Sequence, residues 1–193
     1  MKNWKPLLLI AGVLMMGLCT PHPSAAREPE VAGTRFQAIY EHKDARLELK
    51  GASLLRYLTF IKAYTGAFYL PPTTDGVRAL EDVPKRLELE YRLAIAAEDF
   101  ARATTVSIRK NVDAQRFRQL DPRIRQLNAM YRSVVAGDRY ALTYVPGHGT
   151  ELSLNGVPLG VVPGADFAAA VFSIWIGPEP IDTVFRNELL GLK

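Results

Sequence analysis

Apolar and charged residues alternate most regularly between Arg86 and Leu93, where every second side chain is apolar. This period of two predicts a β-strand with one face in the core and the other in water. Shorter alternating segments at 35–40 and 45–49 predict two half-buried strands joined by a polar turn. The aromatic-rich stretch from Tyr57 to Leu70 predicts one long strand that bends near Gly66.

Three further strands are predicted in the second half of the chain, at 139–145, 150–154 and 157–162. Asn155-Gly156 separates the last two, and Asn-Gly between apolar flanks is a strong hairpin signal because both residues tolerate positive φ. The sequence therefore predicts a run of antiparallel strands ending in a tight hairpin.

Apolar positions recur with helical spacing in four other segments. Asp121-Pro122 is a start signal for the second of them and Gly137 a stop signal, while Asp166 and Asp182 are expected to cap the last two. The predicted helices are 97–110, 123–135, 167–175 and a last one that reaches Leu190. Strands and helices in this order predict an α+β domain with helices layered on an antiparallel sheet.

The N-terminus has the order of a secretory signal: Lys2 and Lys5, an apolar run of about twelve residues from Leu7, and small residues up to Ala26. That run is shorter than the roughly 20 residues of a membrane-spanning helix, so no stable transmembrane anchor is expected. We expect residues 1–26 to be removed and 27–193 to form one domain in the periplasm or outside the cell. The alternative is a lipoprotein attached through Cys19, although Leu18 is large for such a site.

Composition limits the possible chemistry of the mature chain. Cys19 is the only cysteine and would be lost with the signal, which excludes disulfides and thiolate chemistry. His42 and His148 alone are too few for a histidine-rich metal site, so neither a metal nor a cofactor is expected. The formal charge of +4 falls when Lys2 and Lys5 are removed, which argues against a nucleic-acid partner.

Two groups of motifs resemble the conserved blocks of bacterial chalcone isomerase-like proteins. The first comprises 51–56 and 62–71, and the second includes 144–150, 154–156 and 174–177. The resemblance implies an open-faced β-sandwich, in which a large antiparallel sheet carries helices packed on one face and a ligand cleft lies between them. Because this fold hosts isomerases, fatty-acid-binding members and members of other roles, it does not decide the activity.

The resemblance also implies the site residues. Arg56 matches the arginine that holds an oxyanion in true chalcone isomerases, and a guanidinium suits a phenolate or a carboxylate equally. Tyr64 falls where the plant enzymes carry a catalytic threonine, Phe100 near their catalytic tyrosine, and Ile174 near a late serine or threonine. Two of these three hydroxyl positions are therefore apolar, and losing one carbonyl-polarising donor typically costs about 10²- to 10³-fold in rate.

The leading hypothesis is an exported, non-catalytic protein that binds a fatty acid or similar apolar carboxylate. Arg56 would hold the carboxylate with help from Tyr64 and Tyr57, and Phe100 and Ile174 would line the cleft. One alternative is an isomerase of the chalcone–flavanone type, an intramolecular lyase that uses Arg56 and Tyr64. Another is an accessory protein of the cell envelope without a small ligand. The ligand, the pathway and the oligomeric state stay open at this point.

Overall fold

The computed structural model describes residues 29–42, 45–57 and 61–192, so the predicted signal peptide lies outside the described residues. A short hairpin, β1 (Glu30–Val31) and β2 (Thr34–Arg35), precedes a seven-stranded antiparallel sheet whose strand order follows the chain. The strands of that sheet are β3 (Ile39–His42), β4 (Ala45–Tyr57), β5 (Ile61–Leu70), β6 (Lys85–Tyr91), β7 (Arg139–Val145), β8 (Gly149–Leu154) and β9 (Val157–Val162).

Four helices pack against this sheet and enclose the main core, which confirms the α+β class. They are α1 (Ala97–Asn111), α2 (Ala114–Met130), α3 (Ala165–Ile176) and α4 (Thr183–Leu189). Helix α1 contacts both α2 and α3, and α4 lies on β4. The larger apolar cluster is formed by the inner side chains of the central strands and the inner faces of the helices.

The sequence predicted one strand from Tyr57 to Leu70, and this prediction is wrong. β4 ends at Tyr57, β5 begins at Ile61, and the two pair antiparallel with Tyr57 opposite Ile61. Residues 58–60 are Leu-Thr-Phe, with no Gly, Pro, Asn or Asp to signal a turn. The reversal is therefore not visible in the local composition.

Helix α2 begins nine residues before the predicted start. The carboxylate of Asp113 accepts a hydrogen bond from the backbone N–H of Arg116 at 2.8 Å and caps the helix, while Pro122 lies inside it. A proline in a helix interior removes one backbone hydrogen bond. Side chains on both sides of the proline are buried in the core and stabilise the continuous helix: Leu120, Ile124 and Leu127.

Of the two aspartates predicted to cap helices, only Asp182 does so. Asp182 caps α4, since its side chain accepts a hydrogen bond from the backbone N–H of Phe185 at 2.7 Å. Asp166 instead lies in the first turn of α3 and binds both terminal nitrogens of Arg123, at 2.6 and 2.7 Å. Hydrogen bonding to Arg123 holds the pKa of Asp166 below its usual range. The ion pair joins two helices, because Arg123 lies in α2 and Asp166 in α3.

The outer face of β6 is not open to water, contrary to the sequence prediction. Arg86 is 6% exposed and Glu88 8% exposed. The guanidinium of Arg86 lies 3.7 Å from the ring centre of Tyr40, and Arg139 of β7 pairs with Glu88 at 3.2 Å. The segment before β4 therefore covers these charges, a contact that alternation within one strand cannot predict.

Candidate ligand-binding site

A cavity of about 320 Å³ lies between the inner face of the sheet and helices α1 and α3. Its inner walls come from β4 to β8, and its outer edge includes exposed residues of α1 and the segment after α3. The described residues around it are Leu55, Ala63, Tyr64, Leu87, Leu89, Tyr91, Leu93, Ile95, Asp99, Phe100, Ala103, Thr104, Ser107, Tyr131, Tyr140, Leu142, Leu152, Ile174, Trp175 and Ile181. The walls are thus mainly aliphatic and aromatic.

Tyr91 lies at the centre of an aromatic cluster in this wall. Its ring centre is 5.5 Å from that of Tyr64, 5.2 Å from Phe100 and 6.0 Å from Tyr140, each in an edge-to-face arrangement. Such pairs are favourable because the positive ring edge meets the negative face of the neighbour. The cluster therefore fixes the orientation of the phenol rings that border the cavity.

Two of the phenol hydroxyls are satisfied within the protein. The Tyr140 hydroxyl accepts from the backbone N–H of Arg132 at 2.7 Å and donates to the carbonyl of the same residue at 2.8 Å. The Tyr131 hydroxyl shares a hydrogen bond of 2.9 Å with Thr104. These two phenols hold the segment after α2 and helix α1 in place.

The other two hydroxyls keep hydrogen-bonding capacity. Tyr64 accepts from the indole N–H of Trp175 at 3.1 Å, so its own proton is not used in that bond. Tyr91 is 4% exposed, and its hydroxyl has no hydrogen-bond partner among the residues that the structure describes. Among the described residues, the cavity therefore has one phenol hydroxyl without a hydrogen-bond partner and one whose proton is not used by its recorded bond.

Burial keeps these phenols protonated. It raises the pKa of Tyr131 to about 12 and those of Tyr64 and Tyr91 well above their usual range. Neighbouring phenols add to the effect at Tyr91. At neutral pH both Tyr64 and Tyr91 are consequently hydrogen-bond donors.

Positive charge is missing from the described part of the cavity lining, which includes no Lys, Arg or His. Asp99 is the carboxylate at its edge and lies 3.4 Å from Arg102. Within 29–42, 45–57 and 61–192 no group of three His, Cys, Asp or Glu residues could hold a metal ion. The described lining thus offers hydroxyl donors in an apolar surrounding.

Three of the predicted site residues meet in this cavity. Tyr64, Phe100 and Ile174 come from β5, α1 and α3 and all line it. The side chain of Tyr57, at the end of β4, lies outside what the structure describes. Phe100 and Ile174 therefore present apolar side chains to the cavity.

Arg56 lies elsewhere. It is exposed near the end of β4 and borders a separate surface depression with Asp182, Val184 and Glu188. Leu55, the preceding residue, lines the cavity, and the pairing of β4 with β5 shifts register between Leu55 and Arg56. The guanidinium expected to be buried against the cavity is therefore outside the described lining, and a role for it in binding stays a prediction.

Tyr91, Tyr131 and Tyr140 were not predicted as site residues from the sequence. Tyr91 did carry a usable signal, because the inward positions before it in β6, Leu87 and Leu89, are aliphatic. A phenol at such a position brings a polar group into the core, and a buried phenol usually needs a partner. Whether that partner exists depends on the tertiary structure.

An antiparallel sheet with helices on one face and an apolar cavity between them defines this protein as an α+β protein of the open-faced sandwich class. The chain belongs to the chalcone isomerase-like family, whose model matches residues 28–191. The fold is similar to the crystal structure of a fatty-acid binding protein of Arabidopsis thaliana, with a TM-score of 0.63 and 16% identity over 82% of this chain and 92% of that one. No curated protein matches by sequence.

The family assignment confirms the resemblance carried by the two groups of motifs. The structural similarity, at 16% identity, bears on the fold alone. As to membrane insertion, none of the described helices combines the length and apolar character required to cross a bilayer.

Proposed function

We propose that this protein is an exported, non-catalytic carrier of an apolar small molecule with an acidic group, with a fatty acid as the first candidate. The cavity between the sheet and helices α1 and α3 carries the proposal. Its volume of about 320 Å³ lies within the range of about 300 to 1,000 Å³ that is usual for ligand pockets. The similarity to a protein named for fatty-acid binding supports the same class of ligand.

The lining favours a long aliphatic group. Each methylene that leaves water for such a wall contributes about 0.8 kcal/mol. Leucine side chains from β6, β7 and β8 form the floor, and the aromatic cluster forms one wall: Leu87, Leu89, Leu142, Leu152, Tyr91 and Phe100. An acyl chain matches this surface better than a polar or highly charged molecule.

The absence of catalysis is supported by the groups around the cavity. Ring closure of a chalcone requires hydroxyl donors placed where charge grows on the substrate carbonyl. Phe100 and Ile174 present carbon at two of the three positions that carry hydroxyls in the enzymes. The remaining phenols can hold an oxygen atom without supplying the full catalytic set.

Closing the cavity mouth should abolish binding. Ala103 lies on the exposed side of α1 and lines the cavity, so Ala103→Trp places an indole ring at the opening. We expect the affinity for a fluorescent fatty acid to fall at least tenfold, which corresponds to a loss of about 1.4 kcal/mol of binding free energy. Titration of the mature chain with the labelled fatty acid measures this.

Val106→Trp is the matched control, because Val106 is 50% exposed on the same helix and does not line the cavity. That variant should bind like the natural chain. Equal uptake by the Ala103→Trp and Val106→Trp variants would overturn the proposal that the ligand occupies this cavity.

The predicted role of Arg56 is tested in the same titration. If a guanidinium anchors the carboxylate, Arg56→Ala weakens uptake of the fatty acid while the ligand still occupies the cavity. Equal uptake by the natural chain and Arg56→Ala would remove this residue from the binding site and leave the cavity proposal intact.

A further inference from the structure

We infer that the paired hydroxyls of Tyr91 and Tyr64 bind an uncharged oxygen acceptor of the ligand, such as a ketone, an ester or an un-ionised carboxyl group. This inference rests on the proposed function and specifies the form in which the ligand enters the cavity: a fatty acid would enter with its carboxyl group un-ionised. In this arrangement the ligand oxygen contacts two phenol hydroxyls and no buried cation.

The sheet places the two phenols side by side. Tyr64 of β5 and Tyr91 of β6 are direct partners in the antiparallel register. Side chains at such paired positions lie on the same face of the sheet. Both line the cavity, and their ring centres are 5.5 Å apart. A ligand oxygen, with two lone pairs, can accept hydrogen bonds in the part of the cavity that both phenols line.

The hydrogen bonds inside the protein leave these donors available. Trp175 uses the acceptor side of the Tyr64 oxygen at 3.1 Å, and the Tyr91 hydroxyl has no partner in the described chain. The Tyr91 hydroxyl is not one of the fully enclosed unpaired atoms of the described chain, so it faces the cavity that the residue lines. A ligand oxygen can accept a hydrogen bond there, whereas a purely aliphatic ligand cannot.

The charges around the pair disfavour an anion. The described lining has no cation, and the nearby carboxylates are Asp99 at the cavity edge and Asp182, whose charge adds to burial in raising the pKa of Tyr64. An ionised carboxylate in such a site lacks a counter-charge, which makes its burial unfavourable. An uncharged carbonyl oxygen avoids this penalty and keeps the hydrogen bonds.

Four ligands of matched chain length test the inference at pH 8: a methyl ketone, a methyl ester, the ionised fatty acid and the alkane. We expect the natural chain to bind the ester and the ketone more tightly than the ionised acid. Tyr91→Phe should lower the affinity for the ketone and the ester about five- to tenfold and leave the alkane unchanged, because one hydrogen bond is lost. Competition against a fluorescent probe gives each affinity.

Tyr144→Phe is the control, because its hydroxyl is already bonded to Asp82 and the residue does not line the cavity. It should leave the ketone-to-alkane affinity ratio unchanged. Tyr64→Phe provides a second variant with the same expected loss as Tyr91→Phe, in case one of them folds poorly. Comparing ratios within each variant separates a lost hydrogen bond from a general loss of stability.

The inference is overturned if both phenylalanine variants keep the ketone-to-alkane ratio of the natural chain, or if the ionised acid binds more tightly than the ester. Either result is compatible with the proposed carrier function. Failure of the natural chain to take up any of the four ligands would instead reject the carrier function itself.

Discussion

Lys85 is a fully buried lysine at the start of β6, away from the ligand cavity. Its ammonium group donates to the carbonyl of Glu81 at 2.6 Å and lies 4.8 Å from the ring centre of Tyr144. The Tyr144 hydroxyl donates in turn to Asp82. Burial lowers the pKa of Lys85 to about 8, although Asp82 and Glu81 act in the opposite direction.

This depressed pKa predicts a rise in stability at alkaline pH. An unfolded lysine has a pKa of about 10.4, so between pH 8 and 10 the unfolded chain binds more protons than the folded one. The free energy of unfolding should therefore increase by about 2 kcal/mol across this range through Lys85 alone. From about pH 9.5 upward the buried tyrosines keep protons that unfolded tyrosines lose, which opposes and then reverses the trend.

Lys85→Met should remove the alkaline rise, and Lys110→Met, on the exposed side of α1, should retain it. Urea unfolding of the three chains at pH 7.5, 8.5 and 9.5 measures the effect. Parallel pH profiles for the natural chain and Lys85→Met would show that burial of this ammonium group is not linked to stability.

At the scale of elements, the contact between β4 and α4 depends on one close approach of two backbones. A Cβ atom added to Gly51 would overlap the carbonyl oxygen of Glu188 near the end of α4. The pairing of β4 with β5 also shifts register between Leu49 and Gly51, and Ser53 donates to the Glu188 side chain. A glycine is needed here because helix backbone occupies the space of a side chain.

Gly51→Ala should accordingly separate α4 from the sheet and lower the free energy of unfolding by about 1 to 3 kcal/mol. Gly76→Ala is the milder comparison, since its Cβ would lie 3.0 Å from the carbonyl oxygen of Leu190. Urea unfolding at pH 7.5 provides the comparison. If both alanine variants unfold at the same urea concentration, the close approach of Gly51 to Glu188 does not limit the packing of α4.

At the scale of the whole molecule, the proposal is that the cavity does not form a full isomerase site. We expect the mature chain to convert a hydroxylated chalcone no faster than buffer, because Phe100 and Ile174 provide no hydroxyl donors to the cavity. Loss of chalcone absorbance measures the rate. A rate above buffer that disappears in Tyr64→Phe would contradict the non-catalytic proposal and favour the isomerase alternative.

Local signals were sufficient for the second half of the sheet. The predicted strand 139–145 matches β7, and 157–162 matches β9. The turn between β8 and β9 has φ of 51° at Asn155 and 80° at Gly156, as expected for an Asn-Gly hairpin. These elements were predictable because alternation and turn chemistry act between residues that are close in the chain.

The sequence by itself determined the class of fold, the alternating strands, the Asp182 cap and the family to which the motifs belong. Only the tertiary structure decided that Arg56 is exposed outside the described cavity lining and that the Tyr91 hydroxyl has no hydrogen-bond partner within 29–42, 45–57 and 61–192. The physical reason is that periodicity and capping depend on neighbours within a few residues. The satisfaction of a buried hydroxyl depends instead on side chains such as Trp175 and Arg132, which come from distant parts of the chain.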